Sequence, residues 1–149
     1  MNTVNQAPET ISSIKGIITK TRNRTVDAEV IIEDTRRIIS EVDGAIKAWH
    51  TLNWDEVYKQ LDSLVSRKNW RSLPLASVPI AVKDVYDTAD FVTTYGSSIY
   101  KNYRPATDAK LVAILKSLGA IVVGKTVTTE FAYWQPGPTV NPHNTRHTP

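Results

Sequence analysis

Cysteine is absent from this 149-residue chain, which excludes disulfides, thiolate chemistry and cysteine-based zinc sites. No apolar run approaches the length of a membrane span, and the first ten residues lack the basic segment and apolar stretch of a secretory signal. The net charge is only +3, and the lysines and arginines are scattered rather than clustered as in proteins that bind nucleic acid. We therefore expect a cytoplasmic protein that binds neither nucleic acid nor membranes.

The residues that are present predict an α/β protein whose first half is helical. Apolar residues make up 41% of the chain and charged residues 22%, as in globular domains. A first helix after Pro8 is predicted from isoleucines at helical spacing, at positions 11, 14, 17 and 18. A second, with Thr25 as its N-cap, carries a stripe of apolar or small residues that runs from Ala28 to Trp49. A third is predicted to begin near Asn53.

The second half predicts two parallel strands joined by a crossover helix. The apolar runs 78–85 and 120–124 are typical of buried strands, and the sequence DAKLVAILKSLG between them predicts a short helix that ends at Gly119. The proline-containing stretch 136–149 is expected to be a loop. Three helices and two strands do not complete a core, so we expect the chain to be incomplete: residues 1–73 form a helical leader, and residues 74–149 form the start of an α/β core.

A phosphate-binding loop is the first candidate site, because Gly119 to Thr126 match the pattern G-x-x-x-x-G-K-[ST]. The residues between the two glycines are Ala, Ile, Val and Val, which favour a strand whose N–H groups bond to a neighbouring strand. A nucleotide-binding protein that uses Lys125 is therefore the weaker hypothesis, and a core strand is expected instead.

Three further groups are expected to be structural. His143 and His147 have a spacing that suits a metal on a helix, but the flanking prolines predict a loop. The sequence YGSS at 95–98 is expected to be a turn that lines a cleft, because it lacks the G-x-S-x-G pattern. Glu130 and Phe131 follow the second strand and are interpreted as structural.

Lys83 is the strongest catalytic candidate. Strand alternation places Pro79, Ala81 and Lys83 on one face, so the amine has small neighbours. A lysine that acts as a base must be uncharged, and since the reference pKa of lysine is about 10.4, a pKa near 7 requires about 4–5 kcal/mol of differential stabilisation. Burial against apolar walls can supply this, and we therefore expect Lys83 to be buried. The alternatives are a solvent-exposed lysine and a salt bridge with Asp84.

Three segments in the same order resemble the amidase signature family of Ser–cis-Ser–Lys hydrolases. VPIAVKDVYDTADFVTTYGSSIY resembles the family's G-I-P-v-x-v-K-D segment and its downstream T-x-Y-G-S. DAKLVAILKSLGAIVVGKTVTTEFAY resembles a helix–strand block that ends in G-K-T-x-x-x-E-F-A. PGPTVNPHNTRHTP resembles the loop before the Gly/Ser-rich signature, and the leader with AIKAW fits more loosely. The overall character is closer to general amidases than to the A subunit of tRNA-dependent amidotransferases.

This resemblance implies that residues 1–149 are the N-terminal portion of a single amidase domain. It implies hydrolysis of a carboxylic amide C–N bond in a small molecule through an acyl-enzyme, without metal or organic cofactor. Lys83 matches the catalytic lysine, both catalytic serines would follow Pro149, and the chain by itself is expected to be inactive. Asp84 is expected to anchor the end of the strand or to orient Lys83, and a structural salt bridge is the alternative. Asn141 is expected to brace the loop that leads to the serines.

The sequence departs from the family pattern at two positions, and it leaves two further hypotheses open. Ser77 and Ala81 stand where the family often has glycine, so Ser77 would be strained if that position required a positive φ. The first alternative is an inactive remnant or non-catalytic binding module. The second concerns assembly: exposed sheet edges favour association, and a homodimer is a candidate.

Overall fold

The computed structural model describes residues 13–149 and contains, within them, four α-helices and one three-stranded sheet. The helices are α1 (Ile14–Arg22), α2 (Ala28–Ile46), α3 (Trp54–Val65) and α4 (Lys110–Ser117), and the strands are β1 (Trp49–Leu52), β2 (Pro79–Lys83) and β3 (Ile121–Thr126). The predicted α/β class is confirmed. Pro8 and Ile11, on which the prediction of the first helix partly depended, lie outside the described residues.

Two helices begin where a side chain satisfies a free backbone N–H group. The Ser13 hydroxyl accepts from the N–H of Gly16 at the start of α1, and the Asn53 side chain accepts from the N–H of Glu56 at the start of α3, as predicted for the third helix. The prediction for α2 is wrong in one detail. Its N-cap is Asp27, not Thr25, and no side-chain hydrogen bond caps it.

The leader also contributes a strand, which corrects its description as helical. The predicted second helix extended to Trp49, but α2 ends at Ile46 because Lys47 adopts a left-handed conformation with φ 57°. The Asp43 carboxylate then accepts from the N–H groups of Ala48 and Trp49, at 2.7 and 3.2 Å, and turns the chain into β1. The strand was missed because its polar residues resemble the exposed face of a helix.

The sheet has the strand order β1-β3-β2, with β3 parallel to β2 and antiparallel to β1. This confirms the predicted crossover through α4. In register, Val82 lies opposite Lys125 and Lys83 lies opposite Thr126. Gly124 is required where β1 meets β3, because a Cβ atom there would lie 2.4 Å from the carbonyl oxygen of Thr51.

The main core lies between the sheet and helices α2 and α3. Its buried residues come mostly from these elements: Ala28, Ile32, Val57, Leu61, Leu64, Val82, Phe91, Val112, Ile121 and Val122. Burying one such aliphatic side chain contributes about 1.5–3 kcal/mol, so this layer holds the strands that carry the candidate site. Within residues 13–149, no helix combines the length and the apolar character needed to cross a membrane.

Candidate active site

The faces of β2 alternate as predicted, but Lys83 is not buried. Val82 faces the core and is buried, whereas Ala81 and Lys83 on the opposite face are exposed. The expectation that Lys83 lies against apolar walls is therefore wrong for this chain. The physical reason is that no element among residues 13–149 covers Ala81 and Lys83.

The residue after Lys83 is completely buried. The Asp84 carboxylate lies 3.1–3.2 Å from the backbone N–H of Thr94 and also accepts from the Thr94 hydroxyl. The Asp84 N–H donates to the carbonyl oxygen of Thr126 at 3.0 Å, which continues the β2–β3 ladder beyond the end of β2. Asp84 therefore fixes the end of β2 both through its backbone and through its side chain.

Lys125 is the partner that sequence reasoning missed. Its side chain is completely buried, and Nζ lies 3.1 Å from Asp84 Oδ1. Nζ also donates to the carbonyl oxygen of Tyr86 at 2.8 Å and to the Thr93 hydroxyl at 2.6 Å, so three acceptors match its three N–H bonds. Burial lowers the pKa of Lys125, and the Asp84 carboxylate opposes that effect.

This placement contradicts the nucleotide-binding hypothesis. Gly124 and Lys125 lie within β3, and the Lys125 amine is used inside the protein instead of facing an anion. The preferred interpretation, a core strand, is confirmed. The two lysine motifs, predicted to be separate sites, meet in one ion pair between Asp84 and Lys125.

His50 lies at the exposed side of the pair. Its Nδ1 is 3.8 Å from Asp84 Oδ2 and 2.8 Å from the Thr51 hydroxyl. Sequence reasoning did not identify it, because its approach to Asp84 depends on β1, which was itself missed. It borders a cleft of about 630 Å³ beyond the carboxyl ends of β2 and β3.

The cleft confirms the interpretation of YGSS as a turn that lines a cavity. Gly96, Ser97 and Ser98 form part of its wall, with Thr94 beside them and Glu130 on another segment of the lining. Ser97 is buried, and its hydroxyl has no hydrogen-bond partner within residues 13–149. A crevice at the carboxyl ends of parallel strands is the usual location of ligand sites in α/β proteins.

The remaining candidates lie away from the buried pair. His143 and His147 are exposed in a loop, as predicted, and residues 13–149 contain no cluster of three or more potential metal-ligating side chains. Asn141 Oδ1 accepts from the N–H of His143 at 2.9 Å, so it braces its own loop. Phe131 is half-exposed with φ 50°, and its N–H donates to the carbonyl oxygen of Tyr95.

Ser77 has the positive φ that was suspected from the sequence. Its φ is 59°, and the residue is completely buried. Its hydroxyl lies 2.8 Å from the Thr21 hydroxyl and donates to the carbonyl oxygen of Ala76 at 2.7 Å. The left-handed conformation at a residue with a Cβ atom is strained, and the buried hydrogen bonds compensate for it.

Comparisons with known proteins agree with the segments that carry the resemblance. The family model described as Amidase matches residues 30–149. Over 134 residues the chain is 38% identical to the A subunit of the glutamyl-tRNA(Gln) amidotransferase of Halothermothrix orenii, and this match covers 86% of this chain and 27% of that protein. Over 115 residues it is 34% identical to the putative amidase AmiD of Mycobacterium bovis, with coverage of 75% and 24%.

Solved structures show the same relationship. One, described as a vestigial protein complex that reveals the evolutionary origins of an s-triazine catabolic enzyme, superposes with a TM-score of 0.81 at 30% identity and covers 90% of this chain and 31% of its own. The native peptide amidase of Stenotrophomonas maltophilia gives 0.76 at 25% identity, with coverage of 89% and 28%. The chain thus spans between 24% and 31% of these relatives. Since both amidotransferase subunits and amidases match, the closer likeness to general amidases stays a prediction.

Proposed function

The chain belongs to the amidase signature family, and on this basis we propose that the polypeptide containing it hydrolyses a carboxylic amide C–N bond through an acyl-enzyme. Residues 1–149 are then the N-terminal portion of a single amidase domain. The observation that carries the proposal is the position of Lys83 at the carboxyl end of β2, within the Val82–Asp84 motif and inside the segment that matches the family.

In the proposed reaction, Lys83 is the base. Its amine takes a proton, through a bridging serine, from the hydroxyl of a nucleophilic serine, and that oxygen attacks the amide carbon. The tetrahedral intermediate collapses to an acyl-enzyme as the leaving nitrogen takes up a proton, and ammonia or an amine departs. Water then releases the carboxylic acid by the reverse proton transfers. We place both serines in the part of the relatives' length that this chain does not span.

A base at the position of Lys83 must be shielded from water, and the described residues do not shield it. Lys83 is exposed, whereas an amine that transfers protons requires an environment shielded from water. Ala81, its neighbour on the same face, is small and leaves space for another segment to pack against the amine. We propose that the polypeptide corresponding to the rest of the relatives' length covers this face and excludes water from it.

The test is turnover of a panel of small amides by the full natural polypeptide that contains this chain, with Lys83→Ala compared with Lys110→Ala. Both lysines are exposed, and Lys110 lies at the start of α4. We expect Lys83→Ala to lower kcat by about 1000-fold or more at unchanged melting temperature, and Lys110→Ala to retain it. Activity that survives Lys83→Ala would remove Lys83 from the mechanism.

The exposure of Lys83 also supports a second candidate, a non-catalytic binding module. In that case the open face of β2 would bind another polypeptide. The two candidates differ in the same assay, because a binding module hydrolyses no amide in the panel whether or not Lys83 is present.

A further inference from the structure

We propose that the buried Asp84–Lys125 ion pair is the device that positions Lys83, so that Lys125 is a positioning residue for amide cleavage. This inference rests on the proposed function. The sequence predicted that Asp84 anchors the strand end or orients Lys83, with a salt bridge as the alternative, and the structure shows an ion pair with Lys125. The side chain of Lys125 is completely buried, so its effect on Lys83 must act through partners such as Asp84.

The first supporting observation is the geometry around Lys83. Lys83 lies between Val82, whose register partner is Lys125, and Asp84, which is the ion-pair partner of Lys125. The backbone of Lys83 is therefore tied to Lys125 on both sides, and its own register partner is Thr126. A shift of the pair would move the Cα–Cβ direction of Lys83 with it.

The second observation is that the pair also holds the loop that follows β2. The Lys125 amine donates to the carbonyl oxygen of Tyr86 and to the Thr93 hydroxyl, and the Asp84 carboxylate binds the backbone and hydroxyl of Thr94. Thr94 is part of the cleft wall. One buried pair therefore sets the distance between the proposed base and the cleft in which a substrate would lie.

The third observation is that the hydrogen-bond partners of the ion pair suit a role in positioning better than a role in stability. Buried ion pairs seldom stabilise a fold more than apolar side chains of the same size, since desolvation cancels most of the attraction. Here every N–H bond of the Lys125 ammonium has an acceptor, and both Asp84 oxygens have donors. Because all of these hydrogen-bonding groups are paired, the two side chains are held in a single arrangement.

The experiment replaces both charges at once, because removing one would leave the other buried and unpaired. Asp84→Leu/Lys125→Met in the full polypeptide avoids a lone buried charge. It removes one buried partner from the Thr94 N–H and one from the Tyr86 carbonyl oxygen, so we expect a folded protein with a lower melting temperature than the parent. We expect kcat to fall by about 100-fold, as a misplacement of about 1 Å does, while KM changes by less than about threefold. Amide hydrogen exchange at position 84, whose N–H donates to Thr126, should be slower in the parent than in the variant.

Lys116→Met is the matched control. Lys116 also forms an ion pair with two carboxylates, Asp90 and Asp108, and its side chain is mostly buried, but α4 places it away from the carboxyl end of β2. It should lose some stability and retain kcat. A double variant of Asp84 and Lys125 that folds and keeps kcat within about threefold of the parent would overturn the proposal.

If the double variant does not fold, Thr93→Val decides the question. This change removes one acceptor of Lys125 and leaves the ion pair in place. Thr21→Val is its control, since Thr21 is equally buried but its hydroxyl bonds to the Ser77 hydroxyl. We expect a loss in kcat of about tenfold and a shifted pH profile for Thr93→Val alone. Equal kcat for the two variants would refute the proposal.

Failure of the proposed function gives a different result. A parent that hydrolyses no amide, or that remains active as Lys83→Ala, disproves the function of Lys83 directly. Hydrogen exchange at Asp84 still answers the positioning question in that case. If exchange there is the same in the parent and in the double variant, the pair does not fix the end of β2 and the inference is wrong.

Discussion

Replacing Ser77 by glycine and by alanine separates backbone strain from hydrogen bonding at one buried position. Both changes remove the Ser77 hydroxyl from the Thr21 hydroxyl, 2.8 Å away, and leave Thr21 short of a buried partner, at a cost of about 1–3 kcal/mol. The two variants then differ mainly in the backbone. With φ 59°, alanine keeps a strain of about 1–2 kcal/mol, which glycine relieves.

Glycine also has more conformational freedom to lose on folding, by about 0.5–1 kcal/mol relative to alanine. The balance favours Ser77→Gly over Ser77→Ala by about 1 kcal/mol in the free energy of unfolding. Urea unfolding of the 149-residue chain, followed by circular dichroism, measures that difference. Both variants should unfold below the urea concentration at which the parent unfolds, because both lose the buried hydrogen bond.

Ser72 provides the control for this prediction. It is an exposed serine five residues earlier, its hydroxyl bonds to the carbonyl oxygen of Asn69, and its φ is negative. At Ser72 alanine should therefore be more stable than glycine by about 0.5–1 kcal/mol, the opposite order to that at Ser77. If alanine is the more stable replacement at both positions, the left-handed conformation of Ser77 does not carry the strain assigned to it.

Three other predictions use the same chain. Gly124→Ala should destabilise the protein by about 3 kcal/mol or more in urea unfolding, because the new Cβ would meet the Thr51 backbone at 2.4 Å; a cost below 1 kcal/mol would contradict the close strand contact. Ser97→Ala should be neutral or stabilising by about 1 kcal/mol in the same assay, since a buried hydroxyl without a partner is removed; a clear loss would mean that the hydroxyl is bonded. Burial and donation to Asp87 raise the pKa of Tyr95, so the folded state keeps a proton that the unfolded chain releases above about pH 10. Stability should therefore fall as pH rises above 10, and Tyr95→Phe should reduce that slope in melting curves measured from pH 8 to 11; an unchanged slope would refute the assignment.

The sequence predicted β2, β3 and α4 because each is formed by a short segment with its own apolar pattern. Two apolar runs and one amphipathic stretch predicted the parallel β2–β3 unit and α4. The alternation of side chains along β2 correctly predicted that Ala81 and Lys83 share one face. The strand β1 could not be predicted in this way, because its four residues carry no alternation strong enough to compete with the helical stripe before them. Its formation depends on pairing with β3, which lies more than 70 residues later in the chain, and such contacts leave no trace in a local pattern.

The assignment of the two lysines shows the same limit. An apolar strand that ends in a lysine is present twice, at Lys83 and at Lys125, and composition does not distinguish which amine is buried. Lys125 lies on the central strand, β3, and Lys83 lies on an edge strand, β2. Of these two lysines, only Lys125 is buried. Which strand is central depends on β1, the element that sequence reasoning missed. The incorrect expectation that Lys83 is buried therefore follows directly from the missing strand.

Burial alone does not make a lysine a base, and Lys125 illustrates why. Burial lowers its pKa, but an ammonium group with three acceptors, one of them the Asp84 carboxylate, has its charged form stabilised by each of them. A proton-transfer residue needs the opposite arrangement, an apolar enclosure with few acceptors. Within residues 13–149, the Lys83 amine has no hydrogen-bond or ion-pair partner, and the neighbour of Lys83 on the same face is Ala81. Covering that face with apolar side chains would remove water from Lys83 without supplying an acceptor. Lys125 is thus suited to fix the position of neighbouring residues. Lys83 is suited to transfer protons once further polypeptide covers it.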